Sequence, residues 1–227
     1  IVTLAGKAKS AKRVPFTPDD LKVLFESEEY RKAEFKNASE YWIPLLGLFT
    51  GARQAELCQL HVSDVRKEGG IDVFDFNQED DKELKTDDAG SPRLVPVHPQ
   101  LKRLGFIKFV QKMKESGQKK MFPNEKRNKD GNFDAYSKRF NRYRKKLGVV
   151  PREKERKDFH SFRHTVAGFL IGKGCEEYIA NDIVGHKPKN ASQTVKTYSQ
   201  GVEVGTKYKW IKKISYEVDF ENLEPWV

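Results

Sequence analysis

Long apolar runs and paired cysteines are both missing from this sequence. No segment approaches the ~20 consecutive apolar residues of a membrane span, and the N-terminus carries no signal-peptide pattern. Cysteine is confined to Cys58 and Cys175. Both fall in apolar helical patterns without the spacing of a zinc site or a disulfide framework, so a reducing, cytoplasmic setting with no membrane contact is expected. There are no internal repeats. The chain opens on Ile1 rather than methionine, which leads us to expect a missing upstream part. Its 227 residues suffice for one domain with extensions.

Charge, by contrast, is abundant and uneven. Lys and Arg number 43 against 33 Asp and Glu, a formal net charge of +10. Residues 102–157 alone hold 20 basic and 6 acidic side chains, so the rest of the chain is net acidic. A basic surface gathered in one segment is the footprint of a polyphosphate binder, which makes nucleic acid the first suspect.

The pattern along the chain predicts an α+β fold: mostly helical, with a small antiparallel three-stranded sheet. Residues 1–15 carry Lys7, Lys9, Lys12 and Arg13 and no acid, and read as a basic linker or arm. Thr17, Pro18, Asp19 and Asp20 open a helix running to about Ser27. Trp42, Leu45, Leu46 and Phe49 mark a second helix that ends at Gly51, and a short one follows through Leu57 and Leu60. Val62–Arg66, Ile71–Phe76 and Arg93–Val97 are the expected strands. Helical periodicity resumes at Pro99. In the 134–147 segment Tyr136, Phe140, Tyr143 and Leu147 share a face, leaving Lys138, Arg139, Arg142 and Lys145 for phosphate contact. A helix starting near His160 should bury Phe162, Val166, Phe169 and Leu170 and leave His160, Arg163 and His164 on its other face. Further helices are expected over about Glu176–Val184 and Ser192–Ser199.

Several residues stand out from this scaffold: Arg53 after the Thr50-Gly51-Ala52 break, Lys85-Thr86, His160-Ser161-Phe162-Arg163, Gly185-His186 and Tyr198. In that order, and with Gln54-Ala55-Glu56-Leu57 and the Arg93–Val97 strand around them, the chain resembles the tyrosine recombinase (phage-integrase-like) family from about residue 15 to residue 200. The resemblance implies a catalytic domain over 16–201. In it Arg53 and Arg163 would clamp the scissile phosphate, and His160 and His186 would hydrogen-bond it or help move protons. Lys85 would protonate the leaving 5′ oxygen, and Tyr198 would attack.

Elementary chemistry asks for a comparable set. Phosphoryl transfer needs stabilised charge on the non-bridging oxygens, and arginine forks fit that geometry. A free tyrosine, with a pKa of ~10, is phenolate only about once in a thousand at neutral pH, a deficit of roughly 4 kcal/mol that nearby cations or a base must offset. No carboxylate cluster suited to Mg²⁺ accompanies these residues, so neither a metal nor another cofactor is expected. Two positions have rivals: Tyr208 competes with Tyr198, and Lys82 with Lys85, both lysines lying in a 75–88 segment that holds seven acids. His160 and His164 could also be a metal pair, although Ser161 stands where a zinc hydrolase needs Glu.

The tail, 202–227, is acidic from residue 214 onward and alternates as Tyr-Glu-Val-Asp-Phe from Tyr216, predicting a short strand that docks on protein, in cis or on a neighbouring subunit. The resemblance implies double-stranded DNA as partner and a homotetramer on synapsed DNA, with the isolated domain able to be monomeric, in a bacterial or phage-infected cell. It also implies an absent helical DNA-grasping domain before residue 15. Site-specific recombination is the leading function. A type IB topoisomerase and a non-catalytic DNA-binding module of the same fold are the alternatives.

Overall fold

The computed structural model describes residues 11–82, 92–186 and 201–226. Helices dominate and surround a small sheet, as the periodicity predicts. The first is α1 (Pro18–Phe25), and its start is set locally. The Thr17 hydroxyl accepts from the Asp20 N–H while the Asp20 carboxylate accepts from the Thr17 N–H, a reciprocal cap with Pro18 at the first helical position. It ends earlier than the expected Ser27, because Ser27 caps a separate short helix, α2 (Glu28–Arg31), instead.

Helix α3 (Ala38–Thr50) is apolar on nearly every side and lies at the centre of the core. A glycine is required at each of two points along it. An added Cβ on Gly47 would meet the Phe159 ring at 2.7 Å. Gly51 ends the helix at φ 64°, a left-handed conformation that only glycine adopts without strain. The turn leads directly into α4 (Gln54–Cys58), with Arg53 at its N-cap.

A 3₁₀ turn, Val62–Asp64, stands where sequence periodicity extends the first strand. The Asp64 carboxylate accepts from the His61 N–H, which holds this turn outside the ladder. The sheet itself comprises β2 (Val65–Glu68), β3 (Ile71–Phe76) and β4 (Arg93–Pro96), antiparallel in that order, with Phe76 opposite Arg93. A two-residue parallel pair, β1 (Lys12–Arg13) with β5 (Glu155–Arg156), docks the end of the basic arm. Arg13 forks onto Asp158 at 3.0 to 3.2 Å.

Helices α5 (Pro99–Arg103), α6 (Phe106–Glu115) and α7 (Asp134–Lys146) follow. Helices α8 (Ser161–Gly172), α9 (Glu177–Val184) and α10 (Val204–Ile211) complete the description. Helix α8 packs on α3, with Phe162 among Phe16, Phe25, Phe140 and Phe159 at ring-centroid separations of 4.6 to 6.0 Å. No described helix is long and apolar enough to cross a membrane.

The tail contains no strand among its described residues. Period-two alternation from Tyr216 reflects two tight turns, in which Val218 N donates to Tyr216 O and Phe220 N to Val218 O. Its apolar groups nonetheless enter this chain's own core: Ile211, Ile214, Phe220 and Leu223 are buried. Tyr216 donates to Leu48 O at 3.0 Å, and His98, stacked on Phe49, hydrogen-bonds Ile214 O at 3.0 Å. The expected Ser192–Ser199 helix lies outside the described residues.

Since Phe162 is fully buried at the α3–α8 contact, Phe162→Ala should cost about 3–5 kcal/mol of unfolding free energy. Urea denaturation followed by circular dichroism measures it.

Candidate active site

Residues far apart in sequence converge where the turn after α3, the start of α8 and the end of α9 meet. The beginning of α8 is positioned by Asp158, whose carboxylate accepts from the His160 N–H at 2.9 Å and whose own N–H donates to the Ser161 hydroxyl at 3.2 Å. Arg163 lies one turn on. Helical periodicity puts it on a face away from the apolar residues, but the fold covers it: Arg163 is 1% exposed. Its Nε donates to His186 Nε2 at 3.0 Å and its Nη1 to the Gly51 carbonyl at 3.1 Å, while its Nη2 is buried without a hydrogen-bond partner among the described residues.

His186 follows Gly185, which ends α9 at φ 76°. Because its Nε2 accepts from Arg163, the ring is neutral with its proton on Nδ1. Burial first, then Arg163 and Arg53, push His186 down to about 4. Burial and Arg163 push His160 down to about 3, with His164, 5.4 Å away between ring centroids, adding to the effect. Arg163 is itself lowered to about 9 by burial and by Arg53 and Arg93, and stays charged at neutral pH.

Glu56 is the carboxylate buried among these cations. Arg93 forks onto it at 3.1 and 2.9 Å, Arg53 Nη1 approaches at 3.4 Å, and the Arg53 N–H donates to it at 2.8 Å. Burial works to raise the Glu56 carboxyl, but the Arg93 charge and hydrogen bonds and the Arg53 N–H hold it below its ordinary range. Sequence reading assigned Glu56 and Arg93 no role. The available signal was strand phase, since Arg93 occupies the same alternation as the buried Val95 and Val97.

Arg53, His160, Arg163 and His186 are therefore brought together, whereas Lys85 and Tyr198 lie outside the described residues. Lys82, the rival to Lys85, is buried and bound to Asp64 at 2.5 Å, an ion pair closed within the protein. Tyr208 sits within α10, where Lys207 pairs with Asp182 of α9 at 2.8 Å. Along α7, Lys138, Arg142 and Lys145 are exposed and make no ion pair with described residues. Arg139 differs: it is half-buried and paired with Glu40 and Glu125. Arg144 is buried on Val149 O, and Lys146 pairs with Glu29.

The histidines link this site to pH. His160 and His186 titrate near 3 and 4 when folded, against 6.5 for an unperturbed ring, and buried His98 likewise titrates near 4. The unfolded chain takes up these protons first, so their contribution to stability is complete above pH 6.5 and is lost as pH falls through 4. An anion beside Arg163 would favour the protonated rings of His160 and His186. Sulfate, a dianion at both pH values, should therefore raise the thermal midpoint more at about pH 5 than at about pH 8, beyond chloride of equal ionic strength. Arg163→Ala should abolish the difference. A sulfate effect no larger than that of chloride would argue against an anion site.

Comparison with known proteins places this geometry. The sequence matches the phage integrase family over residues 15–201. Among solved structures, the chain is similar to XerA recombinase at 20% identity and a TM-score of 0.52, over 93% of this chain and 63% of that one. It is similar to an integrase from mycobacterium phage Brujita at 16% identity and a TM-score of 0.57, over 98% and 63%. A lambda integrase (75–356) dimer bound to a COC′ core site is similar at 22% identity and a TM-score of 0.52, over 88% and 65%. The chain spans a little under two thirds of the length of these structures, and at such identities the likeness is one of fold. No curated protein matches it. With a family match that covers most of its length and takes in Arg53, His160, Arg163 and His186, the chain belongs to the phage integrase family.

Proposed function

We propose that this chain is the catalytic domain of a site-specific DNA recombinase that cleaves and rejoins duplex DNA through a 3′-phosphotyrosine on Tyr198, without a metal. The supporting observation is the Arg163 guanidinium, buried and charged beside Arg53, His160 and His186, with Nη2 unpartnered among the described residues. A charge desolvated to this degree is stable only with a counter-charge. Glu56 is turned chiefly toward Arg93 and Arg53, so the complement to Arg163 is an anion from outside. A scissile phosphate supplies one.

In this reading Arg53 and Arg163 hold the non-bridging oxygens of the phosphate. Neutral His160 and His186 are ready to accept or share a proton when Tyr198 attacks, and they become cationic once the phosphate offsets the surrounding positive charge. Lys85 delivers a proton to the departing 5′ oxygen; with Lys82 held by Asp64, it is the candidate lysine of its segment. Lys138, Arg142 and Lys145 track the DNA backbone, with Arg139 assisting at the edge of its ion pairs. The basic arm at 1–15, of which 1–10 lie outside the described residues, is read as the linker to a DNA-grasping domain. Recombination is carried out by a homotetramer on synapsed DNA, a reading supported by similarity to a lambda integrase tetramer bound to a Holliday junction.

A randomised pool of nicked duplexes tests this without knowledge of the target sequence. The protein should form an adduct resistant to denaturant, unaffected by EDTA and absent in Tyr198→Phe. An adduct in Tyr198→Phe would transfer the nucleophile to another residue. Lys85→Ala should slow adduct formation about 10²–10⁴-fold. A 5′-bridging sulfur at the captured site, a leaving group that needs no proton, should restore the rate.

A further inference from the structure

Arg93 is a buried charge that the proposed mechanism leaves unused. Its side chain is 1% exposed, and its guanidinium makes three different attachments. Nη1 and Nη2 fork onto Glu56, the residue that also receives the Arg53 N–H and faces its guanidinium. Nε donates to the Ile183 carbonyl at 3.1 Å, in the last turn of α9 before Gly185-His186. The face of the group rests on Phe76, 4.6 Å from the ring centroid. Gly185 passes so close that an added Cβ would lie 2.6 Å from Arg93 Cζ.

One plane of five donors thus joins the cap of α4, the turn that carries His186, and the first residue of β4, a few positions after Lys85. Lysine cannot substitute, because a single ammonium on a flexible stem does not hold a carboxylate fork and a carbonyl in fixed relation. We propose that Arg93 is a positioning residue: it sets the separation of Arg53 and His186, and so the shape of the phosphate cradle, without itself touching the phosphate. This rests on the anion-site reading above. Misplacement of such groups by about 1 Å can cost ~10²-fold in rate, so a remote clamp of this kind is consequential.

Ring NMR of labelled histidines during titration with inorganic phosphate tests the proposal. In the wild-type protein phosphate should shift His160 and His186 together, with one dissociation constant. In Arg93→Lys, binding should weaken by roughly tenfold or more. The His186 response should also shrink relative to that of His160, which α8 still holds. A uniform loss of stability would not separate the two rings. If phosphate moves neither ring in the wild type, the anion-site reading fails and this inference fails with it. If both rings move in the wild type and move identically in Arg93→Lys, the anion site stands and the Arg93 proposal alone is overturned. Should Arg93→Lys not fold, the wild-type Arg93 Nε–H gives the answer. It should exchange slowly and shift with His186 as phosphate is added, and fast exchange at that proton would overturn the proposal.

Discussion

Three guanidiniums gathered around one buried carboxylate govern the rest of this structure. Arg53, Arg93 and Arg163 all feel Glu56, and each disfavours the charge of at least one other. Two like charges at about 4 Å repel by roughly 4 kcal/mol at an effective dielectric constant of ~20, so one carboxylate offsets only part of the repulsion among three guanidiniums. Something rigid must hold them together. That rigidity comes from α3, buried on nearly all sides, and from α8 packed against it through Phe159 and Phe162. The apolar core supplies the free energy, and the cationic site is where that free energy is partly consumed.

Backbone turns deliver the polar groups with little freedom. Gly51 and Gly185 both close a helix in the left-handed region, and both sit under close contacts, Gly51 beside Val184 and Gly185 on Arg93. The Gly51 carbonyl then receives Arg163, so the turn that presents Arg53 is also the turn that orients the second arginine. Under the proposed function, side chains held this way need little reorganisation when charge develops, which is the condition under which electrostatic stabilisation of phosphoryl transfer is most effective. The two neutral histidines complete the arrangement, since burial and the neighbouring arginines keep the rings unprotonated until an anion offsets that positive charge.

The basic segment shows why net charge alone does not define a binding surface. Helix α7 alternates in role along its length: Lys138, Arg142 and Lys145 face outward, while Arg139, Arg144 and Lys146 are engaged with Glu40 and Glu125, with Val149 and with Glu29. Their acidic partners come from the first helices and from a loop, so the charge excess of residues 102–157 is partly neutralised across the fold. The tail carries a similar lesson in apolar form. Its two-residue alternation is real, but tight turns rather than a ladder produce it, because its described hydrogen bonds run within the segment and to residues such as Glu26, Arg31, Tyr41, Leu48 and His98 instead of to a strand edge.

By itself the sequence determined the helices with strong periodicity and capping residues and the presence of three sheet segments, and it singled out Arg53, His160, Arg163 and His186 as candidates that the fold brings together. These are local properties: a cap, a left-handed glycine or an apolar stripe acts over a few residues, and the site residues occur in short ordered motifs. Tertiary structure alone decided that Arg163 is buried, that Lys82 belongs to Asp64, that Arg139 is shared with two glutamates and that Arg93 joins the Arg53 cap to the His186 turn. Each of those outcomes depends on a partner many positions away, and burial and ion pairing are properties of two surfaces brought together. No period in the sequence encodes them.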